Sequence, residues 1–413
     1  MIKALNSYQR IQSLDFLRGI AILGILLINI ESFSYPNPWS PSAFGFEGEI
    51  DRTTRFFVYW LGQGKFFFML TVLFGVGFCL FLDRAQEKQG QDAYALYLKR
   101  LFWLFVIGVV HAYLIWDGDI LYHYAICGVI LLLFQSFSKK GMVAVIGVLV
   151  AVLMFNNYQR TSDRAESLAD YYEIKNTVAE DRSAAQQRRV DYWEGRLKKK
   201  SPDSDDIEVP RQTYMQSIQT NYEKVEVHKG VVYHKSILYS TLIMMLVGVL
   251  LFRSGIFQDY KVVPHYWLMT LAVTAAALAI NYFRYDHWTY HYEQPVTQIW
   301  QGWLFAFPRE TLGLAYVLLF NGLYQKFGGG RVSQLISNVG RMALTNYIMQ
   351  SIICGLIFYG YGLGFYNQLS RFELLPIVLA IVLLQILFSW IWLKRNAMGP
   401  IEFVWRKMIY GGR

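Results

Sequence analysis

The chain has 413 residues, 54% of them hydrophobic and 17% aromatic, with only 10 prolines and a formal net charge of +9. Apolar runs of roughly 17 to 25 residues are long enough to cross a hydrocarbon core of about 30 Å at about 1.5 Å per helical residue, which excludes an ordinary soluble globule. In such a chain the basic residues chiefly set orientation in the bilayer, so no nucleic-acid partner is expected.

In chain order the candidate spans are Phe16–Ile30, Phe56–Leu82, Leu101–Trp116, Ile120–Phe137, Met142–Phe155, Ser236–Phe252, Tyr266–Tyr282, Trp300–Leu323, Leu344–Tyr359 and Leu374–Leu393. The expected fold class is therefore all-α, a polytopic helical membrane protein with about ten transmembrane helices and a soluble helical insertion. Three blocks are expected: a first membrane block over 1–155, a polar extracytoplasmic insertion over 156–235 and a second membrane block over 236–413. Basic residues such as Arg84, Lys99, Arg100, Lys139, Arg253, Lys326 and Arg395 fall at alternate span ends, which places both termini in the cytoplasm of a multi-pass protein. The first span lacks a small-residue cleavage site, so a removable signal peptide is not expected. Cys79, Cys127 and Cys354 lie inside apolar spans and suit packing better than disulfides, and no metal-ligand spacing occurs, so no metal is expected.

Ionisable side chains at membrane depth are costly and default to a functional reading. In the first span Asp15 and Arg18 are three apart on one helical face, an ion pair by spacing, while Asn29 needs a place inside the bundle. Lys65, in "GQGKFFFMLTVLFGVGF", either snorkels to the interface or faces a polar cavity where it holds an anion or an oxyanion. "HAYLIWDGDIL" joins spans three and four. It sets His111 about 16 Å from the cytoplasmic end of its helix, with Asp117 and Asp119 at the outer turn. An imidazole oriented by a carboxylate is the usual assembly for proton abstraction, although Asp119 could equally cap the next helix.

The insertion from Asn156 to Lys235 reads as solvated amphipathic helices broken near "SPDSDD", serving as a hairpin on the membrane domain or as a substrate lid. Pro308 is expected to kink span eight and open a turn in which Arg309, beside Glu310, binds an anion. Thr345, Asn346 and Gln350 should face inward, and Glu402 with Arg406 has the spacing of a plain helix pair.

Five stretches, "RIQSLDFLRGIAILGILLINI", "GKFFFMLTVLFGVGF", "HAYLIWDGDILYHYAI", "GRMALTNYIMQSII" and "GPIEFVWRKMIYG", resemble the YeiB-like family of bacterial inner-membrane proteins in order and over nearly the whole chain. The first helix is similar in turn to the transmembrane acyltransferases typified by heparan-alpha-glucosaminide N-acetyltransferase, through Asp15, Arg18, Gly19, Ala21 and Asn29. That resemblance implies an inner-membrane enzyme that takes an acyl group from cytoplasmic acyl-CoA and passes it to an acceptor on the other side, with Asn29 in the place of the family's asparagine. No histidine lies between Asn29 and Lys65, so from the residues alone the base is His111.

The resulting expectation is an acyltransferase acting on an envelope sugar or lipid. His111 and Asp119 deprotonate the acceptor, Asn29 and Lys65 steady the oxyanion, Asp117 and Arg309 contact substrate, and Arg18, Arg100 and Arg341 meet the CoA phosphates. Membrane lipids are partners in any case, and a homodimer is compatible with the sequence. The alternatives are a transporter or lipid translocase using the same residues as a relay, and a structural or sensory protein whose insertion binds a partner.

Overall fold

The computed structural model describes residues 11–36, 48–90, 92–198, 213–228, 231–290 and 307–411, and among them the regular structure is helical. Hydrocarbon offers no partner for a backbone amide, so each apolar run satisfies its own peptide groups by coiling. The first block holds α1 (Gln12–Ser34), α2 (Glu49–Leu61), α3 (Lys65–Gln89), α4 (Asp92–Leu114), α5 (Leu121–Leu131) and α6 (Lys139–Lys175). Two polar helices follow, α7 (Ala184–Lys198) and α8 (Tyr214–His228). The remainder is α9 (Val231–Ser254), α10 (Tyr266–Tyr290), α11 (Pro308–Phe327), α12 (Arg331–Arg341), α13 (Ala343–Phe358), α14 (Arg371–Trp392) and α15 (Pro400–Tyr410).

The bundle has a proximal end, where α1 begins, and a distal end, where it finishes. Ser13 donates to the Phe257 carbonyl at the proximal end, while Tyr35 donates to the Leu369 carbonyl at the distal end. Close helix approach comes from glycine. A methyl group on Gly19 or Gly340 would overlap a backbone carbonyl oxygen across the α1–α12 contact, and one on Gly75 or Gly248 would do so between α3 and α9. Such small-residue seams let van der Waals packing hold helices together where lipid removes the hydrophobic drive.

Among the described residues, seven helical segments are long and apolar enough to cross a membrane, or eight if the pair α12–α13, bent by 80°, counts as one. Of the about ten spans expected, these seven or eight are found among the described residues. Span four falls short because its apolar helix covers only Leu121–Phe134. Span eight is described from Pro308 onward, its expected start at Trp300 lying outside the described residues, and the α11 segment carries Arg309, Glu310 and Lys326.

Two local expectations, at Pro308 and at Glu402, are also corrected. Pro308 does not kink a helix: it occupies the first turn of α11, where its missing N–H and fixed φ suit a helix start, so Arg309 and Glu310 lie in that first turn and not in an opened one. The boundary at Asn156, where the composition changes, falls inside α6, which runs on to Lys175; the turn expected at Ser201 or Asp203 lies outside the described residues. Glu402 does not serve as a simple partner for Arg406. Its Oε1 accepts the Leu344 and Thr345 amides at 2.8 and 3.1 Å and its Oε2 accepts the Thr345 hydroxyl, so α15 caps the start of α13. Unsatisfied first-turn amides and a helix dipole give a carboxylate more there than an exposed i,i+4 pair would.

Candidate active site

α4 ends and α5 begins at the distal end, linked by a turn that brings His111 and Asp119 together. Gly108 lets α5 approach, since a side chain there would meet the Tyr122 amide and Asp119. His111 Nδ1 lies 2.8 Å from Asp119 Oδ2, while Asp119 Oδ1 accepts the Tyr122 amide at 3.0 Å. One carboxylate thus performs both expected tasks, helix capping with one oxygen and imidazole orientation with the other. With Asp119 ionised its carboxylate only accepts, so a neutral imidazole paired with it carries its proton on Nδ1 and has Nε2 as an acceptor.

That second nitrogen faces Ser351 Oγ at 2.9 Å, contributed by α13. Asp119, His111 and Ser351 therefore form a linear hydrogen-bonded series, all of them buried. The series has the connectivity of a serine nucleophile, its base and an orienting acid. Trp116 and Tyr347 wall the imidazole, with ring centroids 6.3 and 5.1 Å away, and Trp116 stacks on Phe33 of α1. Thr345, Asn346 and Gln350, expected to face inward, are buried on the same helix, where Gln350 donates to the Ile22 carbonyl and to Gln385, and Asn346 to Ser389.

The insertion reaches this corner through α8. Tyr214 donates to the Leu114 carbonyl at 2.9 Å, Tyr113 donates to Glu226 at 2.8 Å, and Lys224 lies 3.8 Å from Asp117. Asp117 therefore faces the insertion, two residues from Asp119 in sequence.

The other expected residues are not brought into this series. Asn29 is half-buried on α1, and the hydrogen bonds around His111 do not include it. Lys65 is buried at the start of α3, its amine donating to the Tyr59 carbonyl at 2.8 Å, with Arg284, Arg309 and Glu310 as its charged neighbours. Arg18, Arg100 and Arg341 lie at the proximal end. Arg18 pairs with Asp15 at 3.2 Å as its spacing implies, Arg100 lies over the rings of Phe81 and Trp405, and Arg341 donates to the Ala397 carbonyl.

A second buried group was not singled out from sequence. Glu31 Oε2 accepts the Tyr59 hydroxyl at 2.8 Å and lies 3.4 Å from Arg371 Nε, tying α1 to α2 and α14. Removing one partner of a buried ion pair leaves an uncompensated charge, typically costing about 3 to 5 kcal/mol, whereas neutralising both costs far less. Arg371→Met is accordingly expected to lower the thermal midpoint in detergent sharply, and Glu31→Gln combined with Arg371→Met to regain most of the loss. A double variant no more stable than the single one would contradict the pairing.

Fold and site together define a polytopic all-α membrane protein with a buried Asp–His–Ser series near one end of its bundle. The family described as protein of unknown function (DUF418) matches residues 251–412, which include Ser351. The uncharacterized protein YxaH of Bacillus subtilis (strain 168) is 30% identical across 97% of this chain and 94% of its own length, and the chain belongs to the YeiB-like family. The uncharacterized protein YeiB of Escherichia coli (strain K12) is 29% identical across 97% of this chain and 96% of its own length. An uncharacterized 39.9 kDa protein in the amylase 3' region of Bacillus acidopullulyticus is 28% identical across 97% and 94%. No solved structure matches the chain.

Proposed function

We propose that the protein is an inner-membrane acyltransferase that moves an acyl group from cytoplasmic acyl-CoA to a hydroxyl of an envelope sugar or lipid, by way of an ester on Ser351. The observation that carries this reading is the series Asp119–His111–Ser351, with contacts of 2.8 and 2.9 Å. His111 Nε2 already meets Ser351 Oγ, so the hydroxyl it is set to deprotonate first belongs to the protein. In the first half-reaction Nε2 takes the Ser351 proton, Oγ adds to the thioester carbonyl, and the C–S bond breaks as the thiol leaves with that proton. In the second, the acceptor hydroxyl loses its proton to Nε2 and attacks the ester, and the proton passes to Ser351 Oγ as the C–O bond breaks.

The proximal end faces the cytoplasm in this reading, with both termini inside, as its basic residues favour. Arg18, Arg100 and Arg341 are there to meet the CoA phosphates. Purified protein given radiolabelled acetyl-CoA and long-chain acyl-CoAs is expected to release CoA, and Ser351→Ala to release none above background. A lipid translocase is the rival reading, favoured by the buried polar row of Asn346, Gln350, Gln385 and Ser389 between α13 and α14. It predicts headgroup transfer between leaflets with no thioester consumed.

A further inference from the structure

The segment after α13 sets three tyrosines around the corner that holds Ser351, and α8 adds a fourth. That segment folds back on the helix end, the amides of Leu363, Phe365 and Tyr366 donating to the carbonyls of Leu356, Ile357 and Phe358 at 2.8, 3.2 and 2.9 Å. Gly355 stands one helical turn beyond Ser351, a rise of about 6 Å on the same face. A β-carbon there would lie 2.5 Å from the Tyr361 hydroxyl, which fills the space the glycine leaves. The Tyr361 ring meets Tyr214 of α8 edge-on at 5.4 Å and Tyr359 at 5.8 Å, and Tyr359 lies 6.3 Å from Tyr366. Tyr359 also contacts Phe33, which stacks on the Trp116 that walls His111.

An interfacial tyrosine belt does not account for this group, because belt rings stand on the lipid-facing surface at headgroup level. Tyr359, Tyr361 and Tyr366 are half-buried, and the contacts above turn them toward α1, α8 and α13. Nearby, Tyr35, Tyr214 and Tyr347 direct their hydroxyls to backbone carbonyls and Tyr113 directs its own to Glu226. The hydroxyls of Tyr359, Tyr361 and Tyr366 make no hydrogen bond among the described residues. Asp117 adds a carboxylate to the same wall, as a charged neighbour of Tyr359 and Tyr366 that lies 3.8 Å from Lys224 of α8.

We propose that Tyr214, Tyr359, Tyr361, Tyr366 and Asp117 form the acceptor subsite and that the acceptor they hold is a sugar ring, an inference that rests on the acyl-transfer reading. A sugar ring has apolar C–H faces and a rim of hydroxyls, and an aromatic wall with a few placed polar groups complements both. The three tyrosine hydroxyls can donate and accept, and the Asp117 carboxylate accepts from sugar hydroxyls. A lipid tail is the poorer occupant, since hydrocarbon would strip water from those hydroxyls and offer them no partner. Held one turn beyond Ser351, a sugar hydroxyl is beside the ester it attacks, with His111 Nε2 there to take its proton.

The test uses the full chain in a polyoxyethylene detergent, which carries no sugar, and follows intrinsic fluorescence with no thioester present. The probes are the methyl β-glycosides of glucose, galactose and N-acetylglucosamine, with monoolein as the lipid probe. Saturable binding of at least one glycoside is expected, weakened about threefold by Tyr361→Phe and about tenfold by Asp117→Asn. Tyr361→Phe is expected to keep the wild-type thermal midpoint, because the hydroxyl it removes has no hydrogen bond in the protein to lose. A merely structural tyrosine would not combine an intact midpoint with weaker binding, and this arm stands even if Asp117→Asn fails to fold. No saturable response to any glycoside, a saturable response to monoolein alone, or wild-type affinity in Tyr361→Phe overturns the proposal. CoA released by a protein that binds no glycoside would count against this subsite alone, and glycoside bound by a protein that releases no CoA would count against acyl transfer alone.

Discussion

Asp119→Asn is expected to fold with nearly wild-type stability and to lose about 10⁴-fold in thioester turnover. Asparagine keeps an oxygen for the Tyr122 amide, so the start of α5 stays capped. Its amide group, however, presents donors to His111 Nδ1. The imidazole must then carry its proton on Nε2, where it faces Ser351 as a donor and cannot act as a base. His111→Gln removes the base itself and is expected to cost about 10²- to 10⁴-fold. Measuring CoA release beside the thermal midpoint separates the chemistry from the packing: a merely structural His111–Asp119 pair predicts a lowered midpoint with turnover untouched.

The largest stability effects are expected at the glycine seams. Gly340→Leu would drive a side chain into the Asp15 carbonyl of α1, and Gly248→Leu into the Val72 carbonyl of α3. A backbone oxygen inside a helix cannot rotate aside as a flexible side chain can, so the helices must part along their contact. Overpacking of this kind costs about 1 to 3 kcal/mol and more where backbone is struck, so each variant is expected to lie at or above the top of that range. Gly147→Ala is the control, because a methyl there meets nothing within 4 Å and removes the helical penalty of glycine. Recovery of monodisperse protein after heating is expected to fall for Gly340→Leu and Gly248→Leu and to hold or rise for Gly147→Ala. Equal behaviour of all three would mean that the seams carry little of the stability.

The helical membrane character was legible because it depends on runs of like residues, which need no partner to be recognised. His111 and Asp119 were legible as a pair for a related reason: they stand eight residues apart across one short turn, so chain connectivity nearly forces the meeting. Ser351 was not, since it comes from a helix 240 positions away and follows directly on Gln350 in a run already counted as inward-facing. The signal available was a question of valence: an imidazole held by a carboxylate at Nδ1 needs something at Nε2.

Lys65 and Arg309 were each read as anion-binding residues, and what sequence could not supply was that Arg284 joins them, or that Lys65 lies with them and not with His111. Glu402 shows the converse. A periodic pattern suggested Arg406, but the uncapped amides of α13, brought near only by the folded chain, make the stronger claim on its carboxylate. Pro308 carries two local meanings, helix start and helix kink, and only the position of the helix boundary chooses between them.

The central claim is that Ser351 accepts the acyl group from the thioester. Wild-type protein mixed with acetyl-CoA without any acceptor, quenched in acid and digested, is to be read by peptide mass spectrometry. One acyl group is predicted on the peptide containing Ser351, absent from Ser351→Ala and strongly reduced in Asp119→Asn. CoA released with no adduct on Ser351, and at an unchanged rate by Ser351→Ala, would contradict it.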